Sequence, residues 1–390
     1  MECYSQKNSS GFEKLIANYI RCNALESLES LESLEKSLIF LSLVHLEGAI
    51  VPQVSVVIPA YNAMSFLPEA LASVLKQTFT DFEVIIVNDG SSDDIEQWAA
   101  TLTDPRVKLI SQENQGSAGA RNTGLANVQG EYIAFLDADD LWDMTKLEKQ
   151  VCCLEQNPDV GLVYTWTALI DEKGKPYGKV LINHDEGYVW QRLLEHNIVE
   201  CGSVAMIRRC CYEAVGLFDC SLPFSYGEDW DLWLRISAQY PFKVIKELLV
   251  YYRSHSNNLS KNWTAMEQSH HIVIEKAFAD VSPTLMHLKS RSYAIANLST
   301  AWKALQNLDG ECEQAKYFQK QALLYHPQLR YSKEYFRLSL AITLTRLFGL
   351  GGYSKIRDFF YRVQHKSRML RDGFSASFEK VLVLLACPTE

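Results

Sequence analysis

A nearly unbroken apolar run, Val54-Ser55-Val56-Val57-Ile58, stops at Pro59-Ala60-Tyr61-Asn62 and gives way to helical spacing from about Ser65 to Lys76. That predicts a strand buried on both faces, a loop and a helix. The unit repeats: Phe82-Glu83-Val84-Ile85-Ile86-Val87 runs into Asn88-Asp89-Gly90-Ser91-Ser92-Asp93 and then into helical spacing near Ile95 to Ala100. A third run, Tyr132-Ile133-Ala134-Phe135-Leu136, ends in Asp137-Ala138-Asp139-Asp140. Strands alternating with helices predict an α/β fold, a Rossmann-like open and mostly parallel sheet flanked by helices. In such sheets ligands bind outside the carboxyl ends of the strands, where Tyr61, Asp89 and Asp137 all fall. After about Ser260 strand signals stop, and helical patterns cover Met266 to Ala279, Leu285 to Leu308 and Cys312 to Leu324. Upstream, Leu25 to Glu35 repeats a Leu-Glu-Ser triplet, whose period drifts around a helix and makes no apolar stripe. The expected division is therefore a weakly structured, low-complexity extension over 1–50, an α/β domain over 51–260 and an appended C-terminal α-helical region over 261–390.

Three carboxylates at the end of a buried strand carry chemical meaning, because unpaired charge is costly to bury. Either they bind a divalent cation, which arrives with a substrate's phosphates, or they serve as helix caps and ion pairs. In the second reading Asp140 or Asp143 caps a helix beginning near Trp142. Tyr61 offers an aromatic face and Asp89 an acceptor for ribose or base donors, which together suit a nucleoside. Asn88-Asp89-Gly90-Ser91 is also good turn chemistry. Asn114 to Gly124 puts small residues at a helix start with Arg121 on its first turns, where amides and a guanidinium could meet a diphosphate or simply pack closely. Gly227-Glu228-Asp229-Trp230 opens another helix with acids in its first turn, which the helix dipole favours. Trp230 and Trp233 could stack on a sugar or face the core.

Val54 to Asn62, Val87 to Asp93, Asn114 to Leu125, Phe135 to Asp140 and Gly227 to Trp233, in that order, resemble the motifs of family 2 glycosyltransferases. The resemblance covers roughly residues 52 to 258 and implies the GT-A fold. It implies that Pro59, Tyr61 and Asp89 belong to a nucleotide pocket, that Arg121 lines the donor site, and that Asp137 touches ribose or metal while Asp139 coordinates metal directly. The implied cofactor is Mn2+ or Mg2+, which bridges a diphosphate and neutralises the departing nucleotide. Inverting transfer needs a base on the acceptor hydroxyl, and the resemblance assigns it to Asp229 with Glu228 beside it. Tyr251 to Asn258 resembles the segment that closes such catalytic domains, from which Arg253 would reach the diphosphate and His255 the metal. The chain lacks the Gln-x-x-Arg-Trp sequence of processive polysaccharide synthases, so the expectation is single-sugar transfer from a nucleotide-diphosphate donor, a UDP-sugar, to a glycan or lipid-linked acceptor. Two rivals remain. A nucleotidyltransferase of similar fold needs a basic glycine-rich loop for a triphosphate, which Pro59-Ala60-Tyr61-Asn62 is not. A non-catalytic sugar-binding or scaffold protein has no chemical use for Asp137, Asp139 and Asp229 together.

The 390 residues, 47% apolar, suffice for two modules, and a net charge of −9 argues against a nucleic-acid partner. Ten cysteines without disulfide-module or metal-site spacing fit a reducing cytoplasm. No apolar run reaches the roughly 18 residues of a spanning helix. Between Tyr331 and Arg371 there are nine Lys or Arg against two Asp or Glu, interleaved with Leu, Phe and Tyr, a pattern of peripheral membrane contact or of a solvated helix face. Ala315, Phe318, Ala322 and Pro327 resemble one tetratricopeptide-like hairpin, the alternative being a packed helical cap.

Overall fold

The computed structural model describes residues 51–369 except 223–225, 256–261, 280 and 307–310, and leaves out the side chains of 177–179, 350, 354 and 357–369. The triplet repeat lies outside the described residues, as do most of the basic side chains between Tyr331 and Arg371. The described residues from Pro52 onward belong to one compact unit.

Its elements follow the expected alternation: β1 (Val54–Ala60), α1 (Leu67–Leu75), β2 (Phe82–Asp89), α2 (Ile95–Ala99), β3 (Val107–Gln112), α3 (Gly116–Asn127) and β4 (Tyr132–Phe135). Then come β5 (Leu141–Trp142), α4 (Lys146–Gln156), β6 (Leu162–Ile170), β7 (Pro176–Leu181), α5 (Trp190–Glu195), β8 (Met206–Arg208), α6 (Arg209–Val215), α7 (Glu228–Ser237) and β9 (Phe242–Arg253). Helices α8 (Trp263–Ala277), α9 (His287–Gln306), α10 (Cys312–Tyr325) and α11 (Lys333–Met369) complete the described chain. Helix α11 is broken at Gly349, where φ is +68°.

The sheet runs β3-β2-β1-β4-β8-β6-β9-β5, with β7 on β6. Strands β3, β2, β1 and β4 are all parallel, with Val54 opposite both Phe82 and Tyr132. Beyond β4 the sheet is mixed, because β8 pairs antiparallel with both β4 and β6 while β6 and β9 are parallel. The parallel part expected from the apolar runs is thus the N-terminal half. Val54, Val56, Val57 and Ile58 of β1 and Val84 to Val87 of β2 have no exposed surface, as strands covered on both faces require.

One expectation is corrected after β4. No helix begins near Trp142, since Leu141 and Trp142 pair with Tyr251 and Val250 as a short strand. Helix α4 starts at Lys146, and Asp143 accepts from the Thr145 amide and hydroxyl at 2.9 and 2.6 Å just ahead of it. Asp140 is not a cap but a fully buried carboxylate.

The helical region is anchored in two ways. Val273, Ile274 and Phe278 of the α8 segment, with Tyr293 and Ala296 of α9, join the hydrophobic core around the sheet. Ala301 and Leu305 of α9 form a second core with Ala315, Phe318 and Ala322 of α10 and Leu338, Ala341 and Ile342 of α11. The three α10 residues that carry the tetratricopeptide-like spacing are therefore its packing stripe.

Candidate active site

Sharp turns at the carboxyl ends of β1 and β2 build the first wall. Gly90 has φ of +74°, and a Cβ there would stand 2.9 Å from the Asn114 amide nitrogen, so glycine serves both backbone shape and close approach. Asn62, at φ +49°, accepts from the Ser92 amide at 2.8 Å, and its own amide donates to Ser91 Oγ, which locks the two loops together. Pro59 lies opposite Val87 in the sheet, and Tyr61 beyond the strand is 56% exposed, an aromatic face open to solvent.

Asp89 is buried and used fully by the protein. Its carboxylate accepts from Gln112 Nε2 at 2.7 Å and from the amides of Gln115 and Gly116, both at 2.9 Å. A carboxylate on the first amides of α3 satisfies donors that no helical partner can. It fixes where α3 begins, and hence where Arg121 emerges.

Arg121 is the centre of the site. Its guanidinium, with 5% of the side chain exposed, binds Asp137 Oδ1 through Nη2 and Glu228 Oε1 through Nη1. Nη1 also donates to Ser117 Oγ at 2.6 Å. The residue read from the sequence as a donor-site arginine therefore joins the end of β4 to the start of α7. Burial alone would lower its pKa, but the charges of Asp137, Glu228 and Asp229 outweigh it and hold the guanidinium firmly protonated.

Glu228 and Asp229 occupy the first turn of α7, which opens at Gly227 in the left-handed region. Glu228 is buried, and burial raises its pKa against the pull of Arg121. Asp229 is half-buried, and its Oδ1 accepts from the Trp230 amide at 2.6 Å. Its Oδ2 has no hydrogen bond among the described residues. Burial raises its pKa too, opposed by Arg121, which makes it a stronger base than a surface aspartate. Trp230 and Trp233 are buried at 3% and 0% exposure, so the core reading holds and the sugar-stacking one does not. Trp230 Nε1 donates to the Leu193 carbonyl at 2.8 Å, and Trp233 packs against Phe135 and Phe218.

The three acids after β4 take different places. Asp137 and Asp139 keep 27% and 28% of their side chains exposed. Asp140 is sealed in, accepting from Ser203 Oγ at 2.6 Å and from the Arg253 amide at 3.0 Å. Burial and its two acidic neighbours push the Asp140 pKa well up. Ser203 Oγ also accepts from the Asp137 amide at 3.0 Å, so one hydroxyl sets the turn between the acids. The segment carrying Ser203 is held by Gln150 of α4, whose amide donates to the carbonyls of Val204 and Val163 at 2.9 and 3.1 Å.

The end of β9 and the residues just after it close the site from the far side. His255 Nε2 lies 2.9 Å from Asp139 Oδ2, and its ring packs on Phe66. Arg253 is 1% exposed: Nε donates to the Asp139 carbonyl, Nη1 to the Glu172 carbonyl and Nη2 to Glu69 Oε2, at 2.7, 2.9 and 2.7 Å. Its visible work is to hold the acidic turn from behind. Ser203, Gln150 and Glu69 were not singled out from the sequence. A lone serine after glycine, a mid-helix glutamine and a helical glutamate carry no signal of their own.

Among the described residues no group of three or more His, Cys, Asp or Glu side chains is arranged to hold a metal ion. Asp137 and Asp139, two residues apart after β4, nevertheless keep partly exposed carboxylates, which are hard oxygen donors. A Mg2+-like cation bound through one or two carboxylates plus substrate phosphates needs no more from the protein.

Residues 55–216 match the family described as Glycosyl transferase family 2. A UDP-Glc:alpha-D-GlcNAc-diphosphoundecaprenol beta-1,3-glucosyltransferase, WfgD of Escherichia coli, is 34% identical over 184 residues, 47% of this chain and 69% of the relative. The chain belongs to glycosyltransferase family 2. An uncharacterised glycosyltransferase of Rickettsia typhi is 36% identical over 200 residues, 48% of this chain, and the match spans 61% of that relative's length. In three dimensions the chain resembles S. aureus TarS 1–349 in complex with UDP-GlcNAc, with a TM-score of 0.53, 16% identity, and coverage of 74% of this chain and 87% of the other. At that identity the likeness concerns the fold, which is GT-A. Among the described residues no helix is long and apolar enough to cross a membrane.

Proposed function

We propose that this family 2 chain is a metal-dependent, inverting, non-processive glycosyltransferase that moves a sugar from a nucleotide-diphosphate donor, a UDP-sugar, to a hydroxyl of a glycan or lipid-linked acceptor. The observation that carries the reading is the double ion pair of Arg121, which ties Asp137 at the end of β4 to Glu228 at the start of α7. It brings the acidic turn of a nucleotide-type sheet edge together with a carboxylate, Asp229, whose second oxygen is open. The E. coli relative, named for UDP-Glc and a diphosphoundecaprenol acceptor, supports the donor and acceptor classes.

In this reading Tyr61 stacks on the base, and Pro59 and Asp89 shape the nucleotide pocket, Asp89 by fixing the start of α3. Asp137 and Asp139 would hold a divalent cation, Mn2+ or Mg2+, with His255 orienting Asp139 or joining it as a ligand. Such a cation would supply charge neutralisation for the leaving nucleotide diphosphate. Asp229 takes the proton from the attacking hydroxyl, and Glu228 fixes the first turn of α7 through Arg121. Arg253 holds the backbone of the acidic turn against α1, and the diphosphate approaches the face that this turn presents.

Incubating the full chain with UDP-, GDP- and dTDP-sugars and Mn2+ tests the reading through nucleotide release. UDP is expected from at least one UDP-sugar and its release is expected to stop with EDTA. No release from any nucleotide sugar, or pyrophosphate release from a nucleoside triphosphate instead, contradicts it.

A further inference from the structure

A second concavity lies away from the acidic turn, between α5 and the helical region. It has a volume of about 370 Å³, is lined by α5, α9, the 3-10 turn at Pro327–Tyr331 and the start of α11, and falls in the range of small-molecule pockets, roughly 300 to 1,000 Å³. Its lining combines an indole, Trp302, with Arg192, Glu195, His196, Arg291 and Ser299.

Two features define what fits there. The first is charge balance. Arg192 pairs with Glu195 at 3.1 Å and Asp185 at 3.4 Å, Arg291 pairs with Glu195 at 3.4 Å, and Glu334 adds another acid to the lining. An anionic ligand would have to displace these carboxylates, so the groove suits a neutral one. The second is a buried polar atom left without a partner. His196 Nδ1 is buried with no hydrogen bond, while half-buried Trp302 and exposed Ser299 bring an indole and a hydroxyl to the same lining. A buried polar atom without a partner costs stability unless something satisfies it, which argues against a lipid tail as occupant. A pyranose meets both conditions: its C–H face packs on an aromatic ring, and its hydroxyls donate to and accept from ion-paired side chains and an imidazole.

We propose that this groove is a carbohydrate-binding site, separate from the donor site and built jointly by the catalytic domain and the C-terminal helices. Helix α5 links the two, since its Leu193 carbonyl holds Trp230, the residue after Asp229. A glycan seated on α5 and α9 is therefore held on the same body as the transfer site, which raises its effective concentration there. The proposal does not rest on the metal or on the identity of the donor.

The test is retention of the labelled full chain on an array of bacterial and synthetic glycans, in EDTA and without nucleotide. Retention of one or a related group of glycans is expected. It should weaken about tenfold or more in Trp302→Ala, the cost typical of truncating an aromatic anchor. Ser299→Trp, which fills the groove from an exposed position, should abolish it without altering thermal stability or UDP binding. Retention of no glycan, or equal retention by wild type and both variants, overturns the proposal. Loss of glycan retention with UDP binding intact separates this site from the donor site.

Discussion

Asp229→Asn is expected to slow sugar transfer by about 10²- to 10⁴-fold, the usual contribution of a general base, while UDP affinity stays unchanged. The amide keeps the shape of the side chain and its acceptor oxygen for the Trp230 amide, so the first turn of α7 remains in place. What disappears is the proton acceptor on the oxygen that carries no protein hydrogen bond. In the proposed function, donor affinity is set elsewhere, at the ends of β1, β2 and β4. The comparison variant is Glu228→Gln, whose carboxylate is buried on Arg121. It should lose stability as well as rate, because it weakens an ion pair inside the protein. Turnover and UDP titration on both variants check the assignment. Near-normal transfer by Asp229→Asn refutes it, and collapse of transfer confined to Glu228→Gln moves the base one residue back.

Removing the guanidinium at the centre of the site should have the largest effect on folding. Arg121→Ala leaves Glu228 buried without its cation and Asp137 without its anchor, and breaking a buried pair by deleting one partner costs about 3–5 kcal/mol. Arg121→Lys should not restore the loss, since a single ammonium cannot hold Asp137, Glu228 and Ser117 at once as the planar fork does. Denaturant unfolding of the two variants is the measurement. A loss below about 1 kcal/mol for the alanine variant would show that the pair behaves as an exposed one.

The N-terminal half of the fold was legible because its physics is local. Strands covered on both faces must be mainly apolar, and β1, β2 and β4 are, with the buried Ser55 of β1 donating to Glu83 of β2. The ends of those runs gave the turn at Gly90 and the acids at Asp137 and Asp139. The stretch from Leu141 to Arg208 was harder to read. Leu141–Trp142 is a strand only because Val250 and Tyr251 lie beside it, a pairing about a hundred residues away that no local pattern announces. The roles of Arg121 and Arg253 were blurred for the same reason. A basic residue near a phosphate-type loop reads as a ligand contact, yet both guanidiniums are absorbed by protein partners from distant elements, Glu228 for one and Glu69 for the other. Asp140, read as one of three strand-end acids or as a helix cap, is instead buried on Ser203, sixty-three residues further along.

Metal-dependent donor binding through Asp139 is decided by titration calorimetry of UDP, with Mn2+ and with EDTA, on the wild type and on Asp139→Ala. Asp139 keeps 28% of its side chain exposed, so its removal should spare the fold, which far-UV circular dichroism would verify. Mn2+ is expected to tighten UDP binding to the wild type, and either EDTA or the Asp139→Ala substitution is expected to abolish the gain. UDP affinity that is the same with and without Mn2+, or a metal-dependent gain that survives in Asp139→Ala, would contradict it.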